Sequence, residues 1–68
     1  MKSPTIIRFN HTSVLGKGYF SQVITIGLAV YYQEYSYDAE RGNTQLIHSQ
    51  YFSNEMDGIE HFNDQHVR

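Results

Sequence analysis

The chain has no cysteine and no tryptophan, and its 68 residues include a single proline. Without cysteine it can form neither disulfide bridges nor thiolate zinc sites, the usual sources of extra stability in very small domains. A chain of this length buries only about 60% of the surface that its unfolded form exposes. We therefore expect one small domain, residues 1–68, that depends on close packing, oligomerisation or binding for its stability.

Charged residues are also scarce, at 18% of the sequence, and the formal net charge is −2. This weak acidity argues against a basic surface for nucleic-acid phosphates. No apolar run approaches the roughly 20 residues that cross a bilayer. The N-terminal stretch also lacks the apolar segment of a secretory signal. These features predict a cytoplasmic protein with no membrane partner.

Two stretches, residues 5–15 and 20–32, alternate apolar and polar side chains as half-buried β-strands do. The sequence GKGY at residues 16–19 predicts a hairpin loop between them, with Leu15 opposite Phe20. In that register Phe9 lies opposite Ile26, and the apolar residues of the two strands meet.

A second hairpin is predicted around Arg41 and Gly42, with Glu40 paired to Asn43. The apolar positions change from even to odd numbers between the two hairpins. One strand over residues 20–38 would also be about 60 Å long, too long for a small domain. Both observations predict a β-bulge or sharp bend between Gly27 and Gln33.

The C-terminal segment changes to a helical period, with Ser53 or Asn54 as the N-cap. Its apolar face comprises Met56, Ile59, Phe62 and either His66 or Val67. The predicted fold is α+β: a strongly bent antiparallel sheet of three to four strands, formed by two consecutive hairpins, with one C-terminal helix packed on it. The predicted core contains Ile7, Phe9, Leu15, Phe20, Ile24, Ile26, Leu28, Met56, Ile59 and Phe62.

Five of the six tyrosines lie in residues 31–52. Tyr31, Tyr35 and Tyr37 either form the floor of the core or belong to a contact surface. Tyr32 and Tyr51 are predicted on the opposite, exposed face, where tyrosine is typical of protein interfaces. The predicted partner-binding residues, with an acidic rim suited to a basic partner, are Tyr32, Tyr51, Glu34, Asp38, Glu40 and Arg41.

No motif in the sequence indicates catalysis. His61 and His66 are five residues apart, which separates them by more than about 100° around a helix. His11 and His48 belong to different hairpins, and no serine lies in a nucleophile elbow. A domain of this size also leaves little room for a substrate pocket of several hundred Å³. We predict no enzyme activity, no metal site and no cofactor.

The segments IIRFN (6–10) and GKGYF (16–20) resemble the opening of cold-shock domains, small β-barrels that stack bases on exposed aromatic side chains. The resemblance covers about fifteen residues. Residues 20–22 depart from the glycine, aromatic and aliphatic pattern of that family, and the loop before Lys17 is longer. The resemblance implies that Phe9, Tyr19 and Phe20 stack on single-stranded nucleic acid; the alternative places Phe9 and Phe20 in the core.

Two classes of function follow from these patterns. The first is a non-catalytic protein-binding module that acts as an inhibitor or adaptor. In size and layout alone it is similar to phage-encoded inhibitors of bacterial defence, including anti-CRISPR proteins. The alternative is a small domain that binds single-stranded nucleic acid. A homodimer formed through an exposed strand edge is a third possibility.

Overall fold

The computed structural model describes residues 3–66, with side chains for residues 3–65. These residues form four β-strands, β1 (Thr5–Val14), β2 (Lys17–Ile26), β3 (Ala29–Asp38) and β4 (Asn43–Phe52), followed by one helix, α1 (Glu55–His66). The strands form an antiparallel sheet in the order β1-β2-β3-β4. The helix packs on one face of the sheet, across β2, β3 and β4. The predicted α+β architecture is confirmed.

The expected break in the long second strand is a complete reversal of the chain. Strands β2 and β3 are joined by a two-residue turn, Gly27-Leu28, and Ile26 pairs with Ala29. Gly27 has φ of 62°, which suits the first central position of a hairpin turn that glycine favours. The position of the break was predicted, but its form was not a bulge. The apolar positions change from even to odd numbers there because β2 ends at Ile26 and β3 begins at Ala29.

The first hairpin turns at Leu15-Gly16, with φ of 53° and 81°. Val14 therefore pairs with Lys17, and the predicted pairing of Leu15 with Phe20 is wrong. Two successive residues with positive φ define the tight turn whose twist matches that of the flanking strands. The loop is consequently shorter than the GKGY loop that the sequence suggested.

The third hairpin has a four-residue connection, because Asp38 pairs with Asn43. The Asp38 carboxylate accepts hydrogen bonds from the backbone N–H groups of Glu40 (3.1 Å) and Arg41 (3.4 Å). Gly42 adopts φ of 70°. The predicted pairing of Glu40 with Asn43 is therefore wrong, and the register of β3 with β4 differs from the expected one.

The buried core lies between the helix and the sheet. Val23, Val30, Tyr32 and Phe62 form its centre, and Ile7 and Phe52 pack against them. Ile7 occupies an irregularity in the pairing of β1 with β2, between Ile6 and Arg8. Half of the predicted core residues are exposed because they lie in turns, on the uncovered face or on the outside of the helix: Phe9, Leu15, Ile26, Leu28 and Met56.

Helix α1 begins at a side-chain cap, as predicted. The Asn54 side-chain oxygen accepts a hydrogen bond from the backbone N–H of Asp57 (2.9 Å), and its amide donates to the Asp57 carboxylate (3.1 Å). Gly58 faces the sheet, where an added Cβ would lie 3.0 Å from Val30 Cγ1. Glycine thus lets the helix approach the sheet closely. Val67 and the side chain of His66 lie outside the described residues.

Candidate functional site

The face of the sheet that is turned away from the helix is uncovered within residues 3–66. We call it the open face. The pairing of the four strands places the following residues on it: Ile6, Phe9, His11, Ser13, Gly18, Phe20, Gln22, Ile24, Ile26, Ala29, Tyr31, Gln33, Tyr35, Tyr37, Thr44, Leu46, Ser49 and Tyr51.

The open face contains no Asp, Glu, Lys or Arg. The acidic and basic side chains of β2 and β3 lie on the helix side of the sheet. There Lys17 pairs with Asp38, and Glu34 pairs with Ser21. Side chains of the open face are nevertheless accessible: Phe9 is 55% exposed and Tyr51 is 59% exposed. The face therefore combines apolar area with an absence of charge, as the centres of protein interfaces do.

A row of stacked rings crosses the open face from β1 to β3. The rings of Phe9 and Phe20 stack with centroids 5.7 Å apart, and those of Phe20 and Tyr35 with centroids 4.7 Å apart. A second stack joins His11 to Tyr37 at 5.5 Å. Because each ring restrains its neighbours, the surface is preorganised before a partner arrives.

Gly18 determines how Tyr37 lies on this face. An added Cβ at Gly18 would lie 2.6 Å from the Tyr37 hydroxyl oxygen and 2.7 Å from the Thr12 carbonyl oxygen. The missing side chain lets the Tyr37 ring lie across β2 and reach His11 on β1, to which it is hydrogen-bonded. Glycine inside a strand often marks such a close approach.

The polar side chains at the centre of the open face are paired with each other. The Gln22 amide donates a hydrogen bond to Gln33 Oε1 (2.9 Å), and the Tyr35 hydroxyl donates to the same oxygen (3.4 Å). These contacts satisfy several hydrogen-bonding groups within the face itself. Burial of the face against another apolar surface would then leave few polar groups without a partner.

Tyr32 lies in the core, which corrects the prediction that it is an exposed contact residue. Its side chain is 1% exposed, and its ring packs edge-on against His61 and Phe62 of the helix. Burial, together with the nearby carboxylate of Glu34 and a hydrogen bond to it, raises the pKa of Tyr32 to about 12, and a hydrogen bond with Ser21 opposes this shift.

The predicted partner-binding residues do not form one surface. Tyr51 belongs to the open face and contacts Tyr31 there, with ring centroids 5.7 Å apart. Glu34 and Asp38 lie on the helix side, and Glu40 and Arg41 lie in the loop between β3 and β4. Tyr32 and Tyr51 do not share a face of the sheet, and Tyr32 pairs with Gln50.

The sequence left open whether Tyr31, Tyr35 and Tyr37 belong to the core or to a contact surface, and the structure places them on the open face. One signal was present: three odd positions of β3 carry tyrosine, whereas the even positions include Glu34 and Asp38. The sequence did not decide whether this aromatic face lies under the helix. The helix covers Val23 and Val30, whose smaller side chains allow the close approach at Gly58.

A groove of about 440 Å³ lies on the helix side of the sheet, toward the first and third turns. The expectation that the domain has little room for such a volume is therefore wrong. Its lining includes Lys17, Tyr19, Ser36, Asp38 and Arg41. The Asp38 carboxylate already accepts a hydrogen bond from the backbone of the turn that follows it. The groove is accessible to solvent, and it differs from the open face because charged side chains line it.

Among the described residues, no three His, Asp or Glu side chains lie close enough together to hold a metal ion. Within the same part of the chain, no helix is long and apolar enough to cross a membrane. Comparison with protein-family models, curated proteins and solved structures finds no match to this chain.

Proposed function

We propose that this protein is a non-catalytic protein-binding module of the cytoplasm that acts as an inhibitor or adaptor through the open face. The observation that carries the proposal is the composition of that face. It spans all four strands, is rich in aromatic and aliphatic side chains, and contains no charged residue. Exposed apolar surfaces of this kind mark sites of protein association.

The proposed partner surface is apolar and uncharged where it meets the open face. Acidic side chains suggested a basic partner, but Glu34 and Asp38 lie on the other side of the sheet. The exposed side of the helix also carries acidic residues, including Glu60 and Asp64. A basic surface of a partner would therefore meet the helix side. The comparison with phage-encoded inhibitors remains a proposal that is based on size and layout.

Binding of single-stranded nucleic acid is the second candidate function, because the stacked rings of Phe9 and Phe20 lie on an accessible sheet face. The cold-shock resemblance also places these two residues in base stacking. That family forms a β-barrel, whereas this chain forms an open sheet with a covering helix. The open face also lacks lysine and arginine, which neutralise phosphates in most nucleic-acid sites. The protein-binding function is therefore better supported.

A matched pair of variants tests the contact surface. Tyr51 is on the open face and Tyr19 is on the helix side, yet both are strand residues with nearly equal exposure, 59% and 61%. The parent, Tyr51→Lys and Tyr19→Lys would each be used to capture binding proteins from a cell lysate. We expect the Tyr19→Lys variant to retain the proteins that the parent captures and the Tyr51→Lys variant to lose them. Equal capture by both variants would contradict the proposal.

The same samples separate the two candidate functions. Titration with fluorescent single-stranded oligonucleotides at low salt measures nucleic-acid binding. If the parent bound tightly, if binding weakened steeply with salt, and if Tyr51→Lys strengthened it, the nucleic-acid function would replace the protein-binding one.

A further inference from the structure

We infer that the open face binds the open face of a second copy of this chain, so that two sheets pack face to face around a two-fold axis. This inference rests on the proposed function, because it names a protein that occupies the same surface; a target protein would bind there by displacing the second copy. In this arrangement the two helices lie on the outside, and the aromatic rows of the two copies form a shared core.

Charge is the first argument for a second copy as the occupant. In a two-fold interface each residue patch meets the same patch on the partner, so a charged patch repels itself. The helix side carries Lys17, Asp38 and the acidic side chains of α1, so a second copy placed there would bring like charges together. The open face has no charged residue and is therefore compatible with its own copy.

Area is the second argument. Four strands of ten residues, spaced about 4.8 Å apart and rising about 3.3 Å per residue, present roughly 600 Å² in projection. Two copies would then bury at least about 1,200 Å² in total. That value exceeds the roughly 1,000 Å² expected of a biological interface. Two sheets pack in this way at a distance of about 10 Å.

The hydrogen bonds within the face are the third argument. Gln22, Gln33 and Tyr35 already bond to each other, and His11 bonds to Tyr37. Apolar contact from a second copy therefore leaves these polar groups paired. A second copy carries the same internal pairs, whereas a partner with unpaired polar side chains at the centre would have to compete with these bonds.

Small core size is the fourth argument. On the helix side, the buried core cluster consists of Val23, Val30, Tyr32 and Phe62. A domain of 68 residues with one such cluster is marginal in stability. A second copy is always available at the concentration of the protein itself, and it would bury a second apolar layer.

The test measures the molar mass of the full chain by light scattering during size-exclusion chromatography, over a dilution series. We expect the parent to have twice the monomer mass of 7.9 kDa. The Tyr51→Lys variant should have the monomer mass, because two-fold symmetry would bury two lysine ammonium groups in one interface. The Tyr19→Lys variant should retain the dimer mass. Circular dichroism would verify that each variant is folded.

A second measurement uses the parent alone and does not depend on folding of a variant. In a mixture of isotope-labelled and unlabelled chains, filtered nuclear Overhauser spectra report contacts between copies. We expect intermolecular signals from the ring protons of Phe9 and Tyr35. Intermolecular signals confined to the outer edges of β1 and β4 would show a strand-edge dimer and overturn the inference.

The outcomes separate this inference from the proposed function. A parent that stays monomeric even at millimolar concentration overturns the dimer. The proposed function still stands in that case if Tyr51→Lys, and not Tyr19→Lys, loses a captured partner. A dimer whose mass is unchanged by Tyr51→Lys overturns the face-to-face arrangement. If partner capture is also unchanged, both the inference and the proposed function are wrong.

Discussion

Tyr32 is the residue at which burial and ionisation are most closely linked. Its hydroxyl lies in the core beside the Glu34 carboxylate, and its pKa rises from 10.0 to about 12, mainly because of burial. The folded state therefore favours the neutral phenol. Below pH 10 this contribution to stability is fully present. It is lost as the pH rises from 10 toward 12, because the unfolded chain releases the proton first.

The first prediction follows from this difference. Between about pH 9 and about pH 11.5 the parent should lose roughly 2 kcal/mol more free energy of unfolding than the Tyr32→Phe variant. Urea titrations of both proteins at the two pH values measure the difference. The other tyrosines are present in both chains, so their contributions to the pH dependence cancel in the comparison. An equal loss in parent and variant would show that Tyr32 is not buried as described.

The second prediction concerns Leu15, a residue with φ of 53° that is 93% exposed. A leucine in this left-handed conformation costs about 1–2 kcal/mol, and its exposed side chain gains nothing in return. The Leu15→Asn variant creates an Asn-Gly turn, which this geometry favours. We expect it to raise the free energy of unfolding by about 1 kcal/mol in chemical denaturation.

Leu28 provides the matched control for that prediction. It is 94% exposed and also lies in a two-residue turn, but it does not have positive φ. The Leu28→Asn variant should therefore not show the gain of Leu15→Asn. If both variants gained equally, removal of an exposed leucine would explain the effect, and backbone strain would not.

At the scale of the elements, helix α1 depends on a glycine that helix propensity disfavours. Alanine is normally better than glycine inside a helix by about 1 kcal/mol. At position 58 the added Cβ would lie 3.0 Å from Val30 Cγ1 and 3.3 Å from Val23 Cγ1. Both valines are buried and stiff at χ1, so they yield little.

The third prediction is that Gly58→Ala lowers the free energy of unfolding in spite of the gain in propensity. Asn63→Ala, at an exposed position of the same helix, should raise it by a few tenths of a kcal/mol. Thermal unfolding followed by circular dichroism measures both. A stabilised Gly58→Ala variant would show that the helix can move away from the sheet without loss.

Strand existence, the break at Gly27 and the capped helix could be predicted because they depend on local patterns. Strand register could not, because it depends on turn geometry. The turn at Leu15-Gly16 requires positive φ at a leucine, which no local preference indicates. The irregularity between Glu34 and Tyr35 in the pairing of β3 with β4 is a tertiary feature of the same kind.

The sequence also could not predict which face of the sheet the helix covers. Both faces of β3 carry large side chains, Tyr32 on one and Tyr31 and Tyr35 on the other. Hydrophobicity alone favours the aromatic face. Close packing instead places the helix on the face that carries Val23 and Val30, because Gly58 fits against these two valines. The larger aromatic side chains then remain on the open face.

At the scale of the whole molecule, the described chain is two layers thick, with extents of 36 × 35 × 15 Å. A sheet covered on one side leaves about half of its side-chain surface for association. The stability of such a molecule is then tied to its concentration when it associates with itself.

The fourth prediction concerns this dependence. The midpoint of thermal unfolding should rise with protein concentration for the parent and for Tyr19→Lys. The reason is that a second copy binds the folded chain and not the unfolded one. The midpoint of Tyr51→Lys should be independent of concentration. Differential scanning calorimetry over a hundredfold concentration range measures the midpoints. A parent midpoint that does not move would argue against self-association of the folded chain.

The order of the elements has a consequence for the synthesis of the protein. All four strands precede helix α1 in the chain, so they are synthesised before the segment that covers Val23, Val30 and Tyr32. A sheet that formed before the helix packed on it would expose this apolar cluster as well as the open face. Newly made chains that end after Phe52, without the helix segment, should therefore show more chaperone binding and more misassembly than the full chain.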